Sequence, residues 1–160
     1  MILNKQVGVY LNLVHCKFKQ YISEIFKEQG CNITPEQFLV LDALWDEGDM
    51  SQQEIANLII KDKNSVVKLL DGLEKKKFVK RVIDKKDRRQ NIIQLTRMAE
   101  EIKDHVTEVA IKSVDMVIEG ISKKDLGIFI KVLAAMATNM RQDISPLQIQ
   151  HKQKQNTVEK

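Results

Sequence analysis

Lys63, Asn64, Ser65 and Lys68 stand close together in the chain, and some way after them comes Asp84-Lys85-Lys86-Asp87-Arg88-Arg89-Gln90-Asn91, eight residues without an apolar member. Amide and ammonium groups near the start of a helix can hydrogen-bond base edges in the major groove of duplex DNA, while hydroxyl and ammonium groups can hold phosphates. Arginine suits a narrow minor groove, where negative potential is concentrated. Lys63, Asn64, Ser65 and Lys68 are therefore candidates for the major groove, Arg88 and Arg89 for the minor groove, and Lys85 and Lys86 for phosphates. Gln52, at the start of the preceding helix, completes the candidate DNA-binding set. Asp87 is out of place against a polyanion. Its expected job is to brace one arginine through an ion pair. Such a surface pair is worth well under ~1 kcal/mol, so its value lies in orientation.

Charge is unevenly placed. The 160 residues carry a net +4, but Ser51 to Arg97 holds thirteen Lys/Arg against six Asp/Glu, a net of +7, and the remainder nets −3. This asymmetry fits a polyanion partner, double-stranded DNA above all. A solvated lysine-rich surface has the same composition, so charge alone leaves both readings open.

Helical phase separates the candidates from the core. Asp62 is a plausible N-cap, and Val66, Leu69, Leu70 and Leu73 point inward behind it. At about 100° per residue, Asn64, Lys68, Asp71 and Lys75 fall on the opposite face. Ahead of it, Ser51-Gln52-Gln53-Glu54 is a capping box that opens a short helix carrying Ile55, Ala56, Leu58 and Ile59. Behind it, Phe78 to Ile83 and Ile92 to Leu95 read as strands, and the loop between them is too long for a two-residue turn. Thr34-Pro35-Glu36-Gln37 opens an earlier helix with Phe38, Leu41, Leu44 and Trp45 inward, Leu39 and Val40 beside them, and Gly48 at its end.

Long helices flank this unit. Residues 3 to 29 carry Leu3, Val7, Tyr10, Leu11, Val14, Phe18, Tyr21, Ile22 and Ile25 on one face, widened by Val9, Leu13 and Phe26. Thr96 caps a helix over about residues 97 to 120, with Met98, Ile102, Val106, Val109, Ala110, Val117 and Ile121 in its stripe. Ser122 caps the last, which from Leu126 to Met140 is apolar on most sides and so needs burial, most simply between subunits. Pro146 breaks the pattern, and the Gln/Lys-rich end reads as mobile.

Residues 55 to 97 resemble the winged helix of the MarR family of bacterial transcription regulators. Ile55-Ala56 through Ile59 matches the family's L-A-x-x-L helix. Asp62 to Glu74 runs without a gap along its recognition-helix pattern, D-x-S/N-x-V-T-x-x-V/L-D-x-L-E. Phe78 to Arg81 is a strand with a basic end, Asp87-Arg88-Arg89 fits the D-x-R of the wing, and Leu95-Thr96 closes it. Ile33 to Phe38 is similar to the family's second helix. The resemblance implies a homodimer made by the first and last two helices, a palindromic operator, and repression relieved by a small-molecule effector or by cysteine oxidation. Four positions depart from the pattern. Ile60 and Lys77 stand where glycine is common, with strain wherever φ is positive. Gly72 sits inside the recognition helix at up to ~1 kcal/mol relative to alanine. Val67 replaces a threonine and its polar DNA contact.

The expected fold class is mostly α with a small β-hairpin: a winged helix-turn-helix over 33–97, flanked by dimerisation helices in 1–30 and 98–144, with a mobile polar tail over 145–160. The expected function is a sequence-specific DNA-binding transcription regulator, a ligand- or stress-responsive repressor. The alternative is a winged-helix protein–protein module for an acidic partner. No enzyme is expected: His15, His105 and His151 are scattered and no glycine-rich phosphate loop is present, so neither cofactor nor metal is implied. Cys16 and Cys31 make neither a disulfide framework nor a zinc site; either could be a redox sensor, but no sensor motif surrounds Cys16, and a lone cysteine on an apolar-rich helix is usually packing. His15 either lines a ligand pocket between the dimer layer and the winged domain or is simply exposed. No run of 18 apolar residues exists for a membrane span. The N-terminal stretch lacks the pattern of a signal peptide, and a cytoplasmic location is expected.

Overall fold

A computed structural model describes residues 3–140. The elements are α1 (Leu3–Glu28), α2 (Pro35–Glu47), β1 (Met50–Ser51), α3 (Gln52–Leu58), α4 (Lys63–Lys75), β2 (Val79–Ile83), β3 (Asn91–Leu95), α5 (Arg97–Val117) and α6 (Lys123–Asn139). The expected tail and His151 lie outside the described residues.

The caps read from the sequence form. Thr34 Oγ1 accepts the Gln37 amide at 3.2 Å while Gln37 Oε1 accepts the Thr34 amide at 3.2 Å. Ser51 and Glu54 exchange the same pair of bonds at 3.2 and 2.7 Å. Asp62 Oδ1 accepts the Ser65 amide at 3.0 Å, and Ser122 Oγ accepts the Asp125 amide at 3.1 Å. Each bond satisfies an amide that the first helical turn leaves without a partner.

The sheet has three antiparallel strands in the order β1-β3-β2. Val79 pairs with Leu95 and Ile83 with Asn91, and Met50 pairs with Ile93. Sequence reading gave two strands. The third, two residues long, has no alternation to detect and exists because β3 offers it an open edge.

The core joins Phe26 of α1, Leu41 and Leu44 of α2, Ile55 of α3, Val66, Leu70 and Leu73 of α4, Ile93 of β3 and Val106 of α5, all buried. Burying each such side chain contributes about 1.5–3 kcal/mol. In α2 the inward positions are Gln37, Val40, Leu41, Ala43 and Leu44, while Leu39 faces out. In α5, Ala99, Val106, Val109 and Ser113 are buried, whereas Met98 and Val117 of the expected stripe are exposed. Ser113 fits the apolar side because its Oγ donates to the Val109 carbonyl at 2.6 Å.

Two turns carry an unusual backbone. Ile60 has φ 52° and Lys77 has φ 64°. Each follows a helix closed by a Schellman motif. The Lys61 amide donates to Ala56 O at 3.0 Å after α3, and the Phe78 amide donates to Leu73 O at 3.0 Å after α4. The motif demands a left-handed residue, which here is not glycine, and the cost is roughly 1–2 kcal/mol each.

The chain divides into two compact units at Val117 and Ile118. In the first, only Ile22 and Phe26 of α1 are buried, and every residue from Val7 to Gln20 is exposed. Val9, Tyr10, Leu13, Val14 and Phe18 are among them. In the second, Ile128, Phe129, Ile130 and Val132 of α6 are about half exposed.

Candidate nucleic-acid interface

Along α4, Val66, Leu70 and Leu73 are buried, and Lys63, Asn64, Lys68, Asp71 and Lys75 are exposed, as the phase predicts. Ser65 is half-buried. Its hydroxyl donates to Asp62 Oδ2 at 2.5 Å and its amide to Oδ1, so it is the capping partner of Asp62. These bonds from Ser65 hold the Asp62 carboxyl below the usual carboxylate range. A phosphate contact by Ser65 therefore competes with the cap.

Beyond β2 the loop folds on its own aspartates. Asp84 accepts the Lys86 amide at 2.8 Å and the Gln90 side chain at 3.3 Å, and the Asp84 amide donates to Gln90 O at 3.1 Å. Asp87 Oδ1 accepts the Arg89 amide at 3.0 Å, and Asp87 O accepts the Gln90 amide at 3.2 Å. The expected ion pair is thus corrected. Among the described residues no ion pair joins Asp87 to Arg88 or Arg89, and Asp87 shapes the loop as an Asx turn. A short carboxylate beside a tight turn reaches the backbone more readily than a long, solvated guanidinium. Lys85, Lys86, Arg88 and Arg89 stay exposed around this framework.

Arg81 joins the two surfaces. From β2 its Nη2 donates to Asp71 at 2.6 Å, its Nη1 to Glu74 at 2.5 Å, and its Nε to Gln52 Oε1 at 3.1 Å. One planar guanidinium therefore ties the loop-bearing strand to α4 and to the start of α3. It also offsets the two carboxylates on the outer side of α4. Gln52 is positioned by this arginine.

Gln37 brings α2 against α4. It is buried, and Lys76 Nζ donates to its Oε1 at 2.8 Å. A Cβ at Gly72 would lie 2.6 Å from Gln37 Nε2. The glycine inside α4 thus answers a close approach, which accounts for the propensity it gives up.

A cavity of about 550 Å³ opens between α1, α2, the α3–α4 turn and α5. Phe18, Phe26, Phe38, Leu39 and Ile60 form much of its wall, and His15 lies on it. Lys19 and Glu36 form an ion pair at the cavity. Burial pushes the Glu36 carboxyl up, but the hydrogen bond and charge of Lys19, with Lys61 beyond it, outweigh this and hold it below its usual range. Cys31 is buried away from these surfaces, and burial raises its thiol pKa, which disfavours the reactive thiolate.

Helix, turn, helix and projecting hairpin follow one another in the order that the sequence resemblance implies, and the MarR family model matches residues 33–90. Over this winged helix the chain is similar to the MarR family. The HTH-type transcriptional regulator MgrA of Staphylococcus aureus is 31% identical over 94 residues, which span 59% of this chain and 63% of MgrA, so the chain matches under two thirds of that relative's length. Reduced AbfR bound to DNA superposes with a TM-score of 0.69 at 25% identity, over 86% of this chain and 93% of AbfR. Bordetella bronchiseptica BpsR superposes with a TM-score of 0.77 at 20% identity, over 86% of this chain and 96% of BpsR, a likeness of fold.

By position in the matched segment, α4 corresponds to the family's recognition helix and the 84–90 loop to its wing. Sequence reasoning missed Arg81. A signal was present: Asp71 and Glu74 lie on an otherwise basic side of α4 and call for a cation. Among the described residues no helix is long and apolar enough to cross a membrane.

Proposed function

We propose that this chain is a sequence-specific DNA-binding transcription regulator of the MarR family, a repressor that grips a palindromic operator as a homodimer. One observation carries the reading. The exposed Lys63, Asn64 and Lys68 of α4 and the exposed Lys85, Lys86, Arg88 and Arg89 of the wing are tied into one unit by Arg81. In this reading α4 enters the major groove, with Asn64 reading base edges, while Arg88 and Arg89 enter the flanking minor groove. Lys85 and Lys86 hold phosphates. The structure of AbfR bound to DNA supports a DNA partner for a chain of this fold.

The exposed apolar side chains of α1 and of α6 support the homodimer, because a monomer rarely leaves so much apolar surface to water. Residues 1–30 and 98–144 are the proposed dimerisation segments, and the chain works in the cytoplasm, where an operator is found. The apolar cavity with His15 on its wall supports a small-molecule effector. For BpsR, regulation of DNA binding by 6-hydroxynicotinic acid is described.

Sedimentation combined with selection from random duplexes tests the reading. The expected result is a dimer that enriches a palindrome with half-sites about one helical turn, ~34 Å, apart. A monomer without sequence preference would overturn it and favour a protein partner for the basic face.

A further inference from the structure

β2 carries an isoleucine toward the surface that α4 and the 84–90 loop share. Side chains alternate along a strand, and Val79, Arg81 and Ile83 fall on one side of β2. Val79 is buried in the core, and Arg81 turns to Asp71 and Glu74 of α4. Ile83 comes next, about 6.6 Å further along the strand, and it is 62% exposed. Its cross-strand partner Asn91 is exposed too, so no apolar neighbour on β3 covers it. Ile83, Asp84, Lys85 and Arg88 line an open recess of about 390 Å³ at the root of the loop. Among the described residues neither Lys85 nor Arg88 has an ion pair. The Asp84 carboxylate is already engaged by the Lys86 amide and the Gln90 side chain, so its charge is turned into the loop. The recess thus offers an apolar surface beside two cations that no carboxylate neutralises.

We propose that this recess is a deoxyribose site. Ile83 packs on the sugar of one nucleotide flanking the half-site, Lys85 holds a phosphate beside it, and Arg88 passes the same sugar on its way into the minor groove. The site rests on the DNA-binding function proposed above and adds to it a contact that tells DNA from RNA. The 2′ carbon of deoxyribose carries only hydrogen, and an isoleucine can close on it. A 2′-hydroxyl pressed against the same side chain would lose water without gaining a hydrogen-bond partner. A single isoleucine on a surface needs no explanation in itself. This one is distinguished by its place, on the α4 side of β2 and at the foot of a cationic loop.

The test titrates the full chain against the selected palindrome with one ribonucleotide placed at each flanking position in turn. The parent's preference for the all-deoxy palindrome over a scrambled duplex is measured first and reports on the proposed function alone. Ile83 is exposed, so Ile83→Ala leaves the core intact. The expected result is one position per half-site where ribose weakens the parent about tenfold. At that position Ile83→Ala shows no ribose penalty, and it binds the all-deoxy palindrome about fivefold more weakly than the parent. The proposal is overturned if no position penalises ribose in the parent, or if Ile83→Ala keeps the same penalty, which would assign it to the shape of the duplex. It is equally overturned if Ile83→Ala binds the all-deoxy palindrome as the parent does. A parent that prefers the palindrome but tolerates ribose everywhere sinks this site and leaves the proposed function standing; a parent without that preference removes both.

Discussion

Arg81 Nη2 lies 2.6 Å from Asp71 Oδ1, a bond from β2 to the outward side of α4. The same guanidinium reaches Glu74 and Gln52, and its own side chain is 18% exposed while those of Asp71 and Glu74 are 61% and 44% exposed. Exposure of the carboxylates screens the pairs, so Arg81→Ala should cost about 1–2 kcal/mol. Arg81→Lys should recover less than half, because one ammonium cannot serve three acceptors set around a plane. Urea unfolding of the three proteins measures this; full recovery by lysine would show that charge alone matters.

Gln37 and Gly72 make a coupled pair. Gly72→Ala gains up to ~1 kcal/mol of helix propensity, but the new Cβ meets Gln37 Nε2 at 2.6 Å. Gln37 is held by the Thr34 cap and by Lys76. The expected net effect is a loss of about 1 kcal/mol, and in a Gln37→Ala background the same substitution should stabilise. A double-mutant cycle in urea reads the sign; additive effects would contradict the contact.

Lys77 is exposed with φ 64°. Lys77→Gly should raise stability by about 1 kcal/mol, seen as a melting temperature higher by roughly 2–4 °C. A lower melting temperature would mean that the Schellman motif after α4 carries no strain.

Glu36 has a carboxyl pKa held below its usual range by Lys19, against the opposing effect of burial. A depressed folded-state pKa gives stability that is present above the unfolded value, near 4.3, and lost as pH falls through the folded one. Lys19 is 52% exposed, so screening limits the pair; Glu36→Gln should cost about 0.5 kcal/mol at neutral pH. The difference from the parent should shrink as pH falls from the unfolded value through the lower folded one, and vanish in acid below both. A difference that persists in acid would assign the effect to packing.

Much of the winged helix was legible because its signals are local. Thr34, Ser51, Asp62 and Ser122 each cap the helix that their spacing announces. The two sides of α4 follow from phase alone. The positive φ at Ile60 and Lys77 was legible as a conditional: a turn that favours glycine, occupied by something else. What escaped was nonlocal. β1 is two residues long and depends on β3. Asp87 was given an arginine partner because charge is visible in sequence and a backbone turn is not. Arg81 gathers residues from three elements, and Gly72 answers a glutamine on α2; neither relationship has a spacing to read. In α5, Ser113 took an inward place that hydrophobicity assigned elsewhere, because its hydroxyl could bond the preceding turn.

Joint reading of DNA by α4 and the wing is tested by comparing the parent, Asn64→Ala and Arg89→Ala on the selected palindrome and on a scrambled duplex over a range of salt. The parent should bind the palindrome about 10³-fold more tightly or better, with affinity falling steeply as salt rises. Arg89→Ala should weaken both duplexes alike and flatten the salt dependence, while Asn64→Ala should weaken the palindrome selectively, by about 1–3 kcal/mol. A parent that binds both duplexes equally, or variants indistinguishable from it, would show that α4 and the wing do not read DNA together.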